Sequence, residues 1–404
     1  MPLLGLLRRF TSPCQVECQP RGAAPVAFDL APALGYPLKL YLAPWRSETP
    51  FSWASYVEQE RIASGNFLEP PGIGWEMLNA TQGEMLTHGM PKPVRRAIAN
   101  APFLGVELAQ ACGQLPAARE LAEASPLLLI MLVDWAIETR LTRAEFADCL
   151  TQKQAVLCDA VGLPGGPATA KLLKCCGLRP MIRRELFELK RTLNRPRTTA
   201  LLRHHQPLCL DHVVFMARHE GFCWPGLLRV VDGILDTQPP RPGQVAWLRQ
   251  LLADVERILG DNRQALPQVT NMAELQCLHD RLVDRFNEQI NQAGRATTAT
   301  ALRNEYGAYP PPPLPAYGDL TPVTSWEDLL LEGQRMRHCV GSYHHAVATG
   351  RVAIYHLRSP EPVTVAIRPQ GNGWVLSEAR VKCNFMPSAS SRQKIQAWLA
   401  RCAG

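Results

Sequence analysis

The sequence of 404 residues contains no uncharged apolar run long enough to cross a membrane. A membrane-spanning helix needs about 18 such residues. The closest candidate, residues 125–136, is shorter and contains Asp134, so we interpret it as a buried helix. Residues 1–10 do not resemble a secretory signal, because Arg8 and Arg9 follow the short apolar stretch instead of preceding it. We therefore expect no membrane association.

The sequence also lacks the motifs of the common nucleotide-dependent and hydrolytic enzymes. It has no P-loop, no dinucleotide-binding glycine fingerprint, no H-E-x-x-H zinc motif and no nucleophile elbow. The glycine-rich stretch 162–166 lacks the lysine and serine that would hold a phosphate group. We predict no cofactor, and the motifs leave open whether the protein is an enzyme.

Aromatic residues are sparse at 7%, whereas proline is abundant with 35 residues, so many elements must be short or sharply ended.

The thirteen cysteines are odd in number and scattered, which argues against a disulfide framework and favours a reducing cytoplasm. Cys14 and Cys18 have no second pair that would complete a metal site, and adjacent Cys175 and Cys176 have poor chelating geometry. We expect these cysteines to pack as small apolar residues.

The sequence pattern predicts a mostly α protein, with an N-terminal multi-helix domain and a small C-terminal α+β domain. Residues 1–75 are expected to be irregular, with one short helix at about 53–64. Residues 76–291 are expected to form successive helices, as in the stripe of apolar residues three and four apart at 275–290. The pattern leaves open whether they form one domain or two. Residues 292–323, with the proline run 310–313, are expected to form a semi-rigid linker.

The C-terminal region, residues 324–404, changes from helical to strand periodicity and back. Thr324 and Glu327 have the spacing of a capping box at a helix start. Strands are predicted at 352–357, 363–367 and 374–381, with a tight turn at 371–373, before a final helix at about 390–402. We expect three antiparallel strands with both helices packed on one face.

The segment Met336–Tyr343, followed by Gly350, the strand around Ile354 and then Asn384, resembles the PcfJ-like family. This resemblance covers about 80 residues at the C-terminal end. It implies an association with bacterial conjugative elements, phages or their hosts' defence systems. It brings no established activity with it, and it gives Gly350 and Asn384 as motif positions.

His338, Cys339, Tyr343 and His344 are the candidate catalytic residues of this segment. A thiolate beside an imidazole can act as a nucleophile. Since adjacent helical residues point about 100° apart, His344 or His345 is a better partner for Cys339 than His338. The alternative is that Cys339 packs in the core while His338 makes a local hydrogen bond or caps a helix.

A zinc site could use Cys339, His344 or His345, His356 and Cys383, because sulfur and imidazole ligands suit tetrahedral zinc. The paired spacings of typical zinc sites are absent among these residues. We therefore predict no metal.

A basic segment between residues 171 and 203 has ten basic residues against Glu185 and Glu188, a net charge of +8, so the rest of the chain is close to neutral because the total is +7. The basic residues are Lys171, Lys174, Arg179, Arg183, Arg184, Lys190, Arg191, Arg195, Arg197 and Arg203. Such a concentration suits phosphate contacts, and arginine suits them in bidentate geometry. The alternative is a solvated helix face, or arginines that pair with acidic residues elsewhere.

Three functions are therefore open. The first is a nucleic-acid-binding protein, for DNA or RNA, of a bacterial mobile element or defence system. The second is a Cys/His-dependent enzyme that acts on nucleic acid. The third is a helical adaptor that binds a protein partner.

Overall fold

The computed structural model describes residues 24–218, 223–235, 242–260 and 266–402, so Cys14 and Cys18 lie outside the described residues. The chain divides into two compact units, Met1–Cys223 and Trp224–Gly404. The second unit thus joins residues 224–291, which we expected in the helical domain, to the C-terminal region. No helix of the described residues is both long and apolar enough to span a bilayer. None of the cysteines in this part of the chain forms a disulfide.

The described part of the first unit begins with a four-stranded antiparallel sheet in the order β1-β2-β3-β4. Its elements are β1 (Val26–Asp29), helix α1 (Ala31–Leu34), β2 (Leu38–Leu42), β3 (Trp53–Val57) and β4 (Glu60–Gly65). The prediction of an irregular segment is therefore wrong for these residues.

The helix expected at 53–64 is a β-hairpin. Val57 pairs with Glu60, and Glu58 between them has a left-handed φ of 55°. Aromatic and β-branched residues in β3, such as Trp53 and Tyr56, favour a pleated surface over a helix. Only Ser55 of this strand is fully buried, so the apolar alternation that identifies a strand is weak here.

The rest of the first unit is helical over its described residues, as predicted. Its helices are α2 (Trp75–Thr87), α3 (Lys92–Asn100), α4 (Gly105–Gln114), α5 (Pro116–Ala124), α6 (Pro126–Glu138), α7 (Arg143–Leu150), α8 (Gln154–Ala160), α9 (Pro167–Cys175), α10 (Arg183–Leu193), α11 (Pro196–His204) and α12 (Leu210–Arg218), with a 3₁₀ turn at Pro102–Leu104. Four of them begin at proline, which suits the first helical position. Helix α6 is the buried helix expected around Asp134, since residues 127–134 are all buried.

The second unit contains a second antiparallel sheet and seven described helices. The helices are α13 (Leu227–Leu235), α14 (Pro242–Leu259), α15 (Met272–Ala293), α16 (Arg295–Tyr306), α17 (Trp326–Met336), α18 (His344–Ala348) and α19 (Ala389–Cys402), with 3₁₀ turns at Leu266–Gln268, Cys339–Ser342 and Lys382–Asn384. Helix α16 lies within the predicted linker, where Gly294 and Gly307 bound it and Leu302 packs into the core. The prediction of a linker without a helix is wrong for these residues.

The second sheet has the order β5-β6-β7-β8. Its strands are β5 (Leu320–Pro322), β6 (Ala353–Leu357), β7 (Val363–Gln370) and β8 (Gly373–Arg380). The three predicted strands and their tight turn are confirmed, and β5 adds a fourth. The cap of α17 is shifted by one residue, because Ser325 and not Thr324 accepts the hydrogen bond from the backbone of Asp328.

Both faces of this sheet are covered, so the prediction of helices on one face is wrong. On the outer face, Tyr355, Val365 and Ile367 pack against Trp398 and Ile395 of α19. On the inner face, Ile354 and Ala366 belong to a core that includes residues of α15, α16 and α17. Helix α19 occupies the outer face because its buried residues Ile395 and Trp398 form one apolar stripe.

Candidate functional site

The inner face of the second sheet places four polar side chains beside one another. Successive residues of a strand point to opposite faces, so His356, Thr364, Glu378 and Arg380 share the face of Ile354 and Ala366. The register aligns His356 with Thr364 and Thr364 with Arg380. It also aligns Ala366 with Glu378. Thr364 is buried, and the side chains of Glu378 and Arg380 are largely buried. This face therefore needs polar partners from the elements that cover it.

Helix α14 carries a polar stripe beside this face, and its Gln250 contacts the sheet directly. Gln250, Asp254 and Arg257 recur at four- and three-residue spacing and so lie on one side of the helix. The Arg257 guanidinium donates to Asp254 Oδ1 at 2.7 Å and to Ser342 Oγ at 3.3 Å. The Gln250 amide donates to Asp254 Oδ1 at 3.2 Å and to Glu378 Oε2 at 3.1 Å. This stripe thus joins the helix to β8.

Tyr343, which follows the 3₁₀ turn, lies at the centre of this arrangement. Its hydroxyl lies 3.2 Å from Asp254 Oδ1 and 3.1 Å from Glu378 Oε2, and it accepts from Gln250 Nε2 at 2.8 Å. The Arg257 guanidinium lies over its ring, 4.0 Å from the centroid. We call Gln250, Asp254, Arg257, Tyr343 and Glu378 the acid–tyrosine cluster.

Burial and charge shift the pKa values within the acid–tyrosine cluster. Burial raises the pKa of Glu378, and the neighbouring Asp254 carboxylate raises it further, although Arg380 opposes both effects from 2.8 Å. Burial and the same carboxylate raise the pKa of Tyr343, so its hydroxyl keeps its proton. The hydroxyl can therefore donate to either acid in turn.

A second hydrogen-bonded chain runs beside this cluster. Glu332 of α17 accepts from His356 Nδ1 at 2.8 Å and from the Thr364 hydroxyl. His338 Nε2 lies 2.8 Å from Thr364 Oγ1, and the Val340 amide donates to His338 Nδ1. Burial lowers the pKa of His338 to about 4, so its imidazole is neutral at pH 7. His338 therefore connects the 3₁₀ turn to the sheet.

Cys339 is buried beside the acid–tyrosine cluster. Burial raises the pKa of its thiol well above the ordinary value, and the Asp254 carboxylate raises it further. His344 packs against the ring of Tyr306, and among the described contacts neither His344 nor His345 is hydrogen-bonded to Cys339. The structure thus brings His338, Cys339 and Tyr343 together without pairing the thiol with an imidazole base. This geometry does not favour a thiolate nucleophile.

A cavity of about 20 Å³ lies among these residues, large enough for one water molecule. Its lining includes His338, Cys339, Tyr343, Thr364, Glu378, Arg380 and Asn384. Asn384 Nδ2 lies 3.5 Å from Nε2 of His279, a buried residue of α15.

The other motif position, Gly350, has a left-handed φ of 67° after α18. We therefore assign Gly350 a role in the turn and not in the site.

The zinc ligands considered from the sequence do not gather around one point. Cys383 and His345 are exposed, and His356 is hydrogen-bonded to Glu332. Within the described residues of the second unit, the group with metal-ligand proximity is instead Asp254, His279 and Cys339.

Four residues of the site were not predicted from the sequence, because they lie far along the chain from the recognised segment: Gln250, Asp254, Arg257 and His279. One signal could have found them. Leu251, Leu252 and Val255 of α14 are buried, yet polar residues recur along the same helix at helical spacing. A polar stripe on a helix rich in buried leucine and valine indicates a partner in the core.

The basic segment of the first unit is anchored by buried acids. Asp134 of α6 pairs with Arg183 at 3.4 Å and with Lys190 at 3.3 Å. Glu188 pairs with Arg184 at 3.1 Å and with Arg218 at 3.0 Å.

Arg179 is anchored by two acids, Glu185 at 2.9 Å and Asp211 at 2.7 Å. Hydrogen bonds from Arg179, set against burial, hold the pKa of Glu185 below its ordinary value. Acidic side chains packed under the segment therefore neutralise part of its positive charge.

Most of the other basic residues of the segment face outward. Lys171, Lys174, Arg197 and Arg203 are exposed and form no ion pair with any residue between 24 and 402 that the structure describes. Arg191 is exposed and donates to the carbonyl of Ala217 at 3.0 Å, while Arg195 is half-buried.

Comparison with known proteins supports the resemblance seen in the sequence. Residues 251–396 match the family model of the PcfJ-like protein. The match begins within α14, and so it includes Asp254 and His279 as well as Cys339, Tyr343 and Glu378. The resemblance at 336–384 is confirmed, and the matched region is longer than the 80 residues expected. No curated protein and no solved structure matches the chain.

Proposed function

We propose that this chain, which carries a PcfJ-like region at residues 251–396, binds nucleic acid through a basic face of its first unit. We place the protein with a bacterial mobile element or with a defence system against one, as the family resemblance implies. The cytoplasm, where nucleic acid and reduced cysteines are both found, is the location that suits this role.

The basic face is formed by three helices that pack together, with α11 in contact with both α9 and α10. Its exposed cations are Lys171, Lys174, Arg184, Arg191, Arg197 and Arg203. The observation that carries the proposal is that the two acidic residues of the same segment, Glu185 and Glu188, are buried. Glu185 and Glu188 are only 9% and 8% exposed, so the segment presents cations alone to solvent. A surface of this kind attracts phosphate groups and releases their counterions.

Helix α10 adds an aromatic side chain to this face. Arg184, Phe187 and Arg191 lie at three- and four-residue spacing, and Phe187 is 55% exposed. An exposed aromatic ring between two arginines can stack on an unpaired base while the arginines contact the backbone. This arrangement favours single-stranded nucleic acid over a duplex.

The anchored arginines are also available to a ligand. The side chains of Arg183 and Arg184 are 48% and 77% exposed although each contacts a buried acid. A guanidinium group has five donors, so one edge can contact a carboxylate while another contacts a phosphate. The acids therefore position these arginines without removing them from the surface.

The test is binding of fluorescently labelled single- and double-stranded DNA and RNA, measured by anisotropy over a series of salt concentrations. We expect salt-dependent binding, tightest for single strands. In a variant with Lys171→Gln, Lys174→Gln, Arg197→Gln and Arg203→Gln, the slope of log K against log salt should flatten by roughly 0.7 for each lost contact with a single strand. Phe187→Ala should weaken single-strand binding by about 1–3 kcal/mol.

A matched control removes four exposed cations elsewhere in the first unit, through Arg61→Gln, Lys92→Gln, Arg96→Gln and Arg119→Gln. It makes the same change in net charge, so an equal loss of slope in the control would contradict the basic face. Failure of the wild-type protein to bind at low salt would remove the proposal altogether. A stable protein partner recovered together with that failure would favour the adaptor function.

A further inference from the structure

We infer that Asp254, His279 and Cys339 form a binding site for a zinc-type divalent metal ion in the second unit. The site is independent of the basic face and does not require that the protein bind nucleic acid. It also differs from the ligand set considered in the sequence analysis, from which it retains only Cys339.

The geometry of the three side chains is close to that of a metal site. Their ligand atoms all lie within 4.8 Å of one another. Tetrahedral zinc with bonds of about 2.0–2.3 Å separates its ligand atoms by roughly 3.3–3.8 Å. Rotamer adjustments of about 1 Å would therefore close the site. Asp254 and His279 are 1% exposed and Cys339 is 4% exposed, so bulk water does not compete for these ligands.

His279 has the surroundings of a ligating histidine. Its Nδ1 lies 3.0 Å from the carboxylate of Asp280, the next residue of α15. When Nδ1–H donates to that carboxylate, Nε2 carries the lone pair that a metal needs. A carboxylate behind a histidine is the usual outer partner of a zinc ligand, because it fixes the tautomer and the orientation of the ring. Nε2 faces Asn384, which lines the same small cavity as Cys339.

Asp254 is held by donors on one oxygen. Gln250 and Arg257 donate to Oδ1 at 3.2 and 2.7 Å, and the Tyr343 hydroxyl, 3.2 Å away, donates to Oδ1 in turn with Glu378. These three hydrogen bonds fix the carboxylate plane, and we assign Oδ2 to the metal. The acid–tyrosine cluster thus becomes the outer layer that orients the aspartate ligand.

A cavity of about 20 Å³ borders Cys339, one of the three proposed ligands. It is bounded by Cys339, Glu378 and Asn384 and can hold one water molecule. Asn384 and the preceding Cys383 both adopt left-handed φ values, 62° and 59°. Asn384 lines the cavity.

The donor set selects the class of metal. One sulfur, one imidazole nitrogen and one carboxylate oxygen suit zinc and its substitute cobalt, whereas magnesium and calcium prefer oxygen ligands alone. On binding, a bond forms between the metal and Cys339 Sγ, and the thiol proton leaves to solvent. The charge of the metal then compensates the buried carboxylate and thiolate.

The test uses the full chain. Its metal content is first measured after purification without chelators. The bound metal is then removed, and the chain is titrated with Co²⁺. We expect about one zinc ion per chain as purified. The Co²⁺ form should show the visible bands of a tetrahedral site and a thiolate-to-metal charge-transfer band. Asp280→Asn should weaken binding by about 10–100-fold, because it removes only the outer partner of His279. Cys339→Ser and His279→Gln should abolish the charge-transfer band and the tetrahedral spectrum respectively.

Cys277→Ser is the matched control, because this exposed cysteine belongs to the same helix as His279. It should leave the spectrum and the stoichiometry unchanged. A wild-type chain that binds no Co²⁺, or binds it without a thiolate band, would overturn the inference, and this result requires no variant to fold. A band that survives Cys339→Ser in a folded chain would also overturn it.

Discussion

The two units bury acidic side chains in different ways. In the first unit, Asp134, Glu185 and Glu188 lie beneath cations that remain partly in solvent, such as Arg184. In the second unit, Asp254 and Glu378 lie between a helix and a sheet, and their partners Arg257 and Arg380 are mostly buried as well. The acids of the first unit hold basic side chains at the surface, whereas the acids of the second unit form part of a buried site.

This difference has an energetic meaning. A half-exposed ion pair contributes little to stability and is screened by salt. A buried charge that loses its partner costs several kcal/mol and is screened far less. We therefore expect substitutions in the two regions to differ in size, in salt dependence and in pH dependence.

The largest effect should follow Arg257→Met. This change leaves Asp254 buried without its closest cation, and we expect a loss of about 3–5 kcal/mol in the free energy of unfolding. Urea unfolding with a chelator in the buffer measures it, so that no metal compensates Asp254. Arg335→Met, at an exposed position of α17, serves as the control. A loss below about 1 kcal/mol, as for a surface pair, would remove the distinction between the two units.

Tyr343→Phe should have the next largest effect. It removes the hydroxyl between Asp254 and Glu378 and leaves the shape of the ring unchanged. We expect a loss of about 1–3 kcal/mol in the free energy of unfolding, because buried carboxylate oxygens lose a donor. The loss should be the same at low and high salt. A strong salt dependence would show that water reaches this cluster.

Arg179→Met should cost about 1 kcal/mol, because its bidentate pair with Glu185 is partly exposed. The pKa of Glu185 is lowered, so its contribution is present above the unfolded pKa and is lost as the pH falls through the folded pKa. The stability curves of wild type and variant should therefore converge below the ordinary value of 4.5. Thermal unfolding between pH 3 and pH 7 measures this convergence. A constant difference across that range would contradict the assignment.

The smallest effect on stability should come from the four-residue variant of the basic face. Lys171, Lys174, Arg197 and Arg203 make no ion pair within the described parts of the chain, so each substitution should change the free energy of unfolding by less than about 0.5 kcal/mol. The same variant should show the largest change in the salt slope of nucleic-acid binding. A large loss of stability would mean that these cations support the fold.

The sequence predicted the elements whose signals are local. The turn at Gly371 and Asn372, and the helix that ends at Cys402, are confirmed within one residue. The hairpin of β3 and β4 was predicted as a helix because its turn, Glu58-Gln59, has neither glycine nor proline and contains good helix formers. Tertiary pairing overrides such weak preferences.

The site was only partly predictable, for the same reason. Cys339 and Tyr343 belong to a recognisable segment, whereas their partners Asp254 and His279 lie on helices with ordinary amphipathic patterns. Nothing local links Asp254 to Glu378, because their proximity depends on how α14 packs over the sheet. The sequence analysis allowed that basic residues of the segment pair with acidic residues elsewhere in the chain. It could not identify Asp134 as one of those acids, because its pairs with Arg183 and Lys190 depend on how α6 packs.

The join between α14 and β8 has a consequence for protein synthesis. Gln250 and Glu378 are separated by 128 residues along the chain. At roughly 5–20 residues per second, the ribosome needs roughly 6–26 s to make that interval. During this time Gln250 lies outside the ribosome without Glu378, which it contacts in the folded unit. The second unit should therefore depend on chaperones more than the first, and slower translation should deepen that dependence.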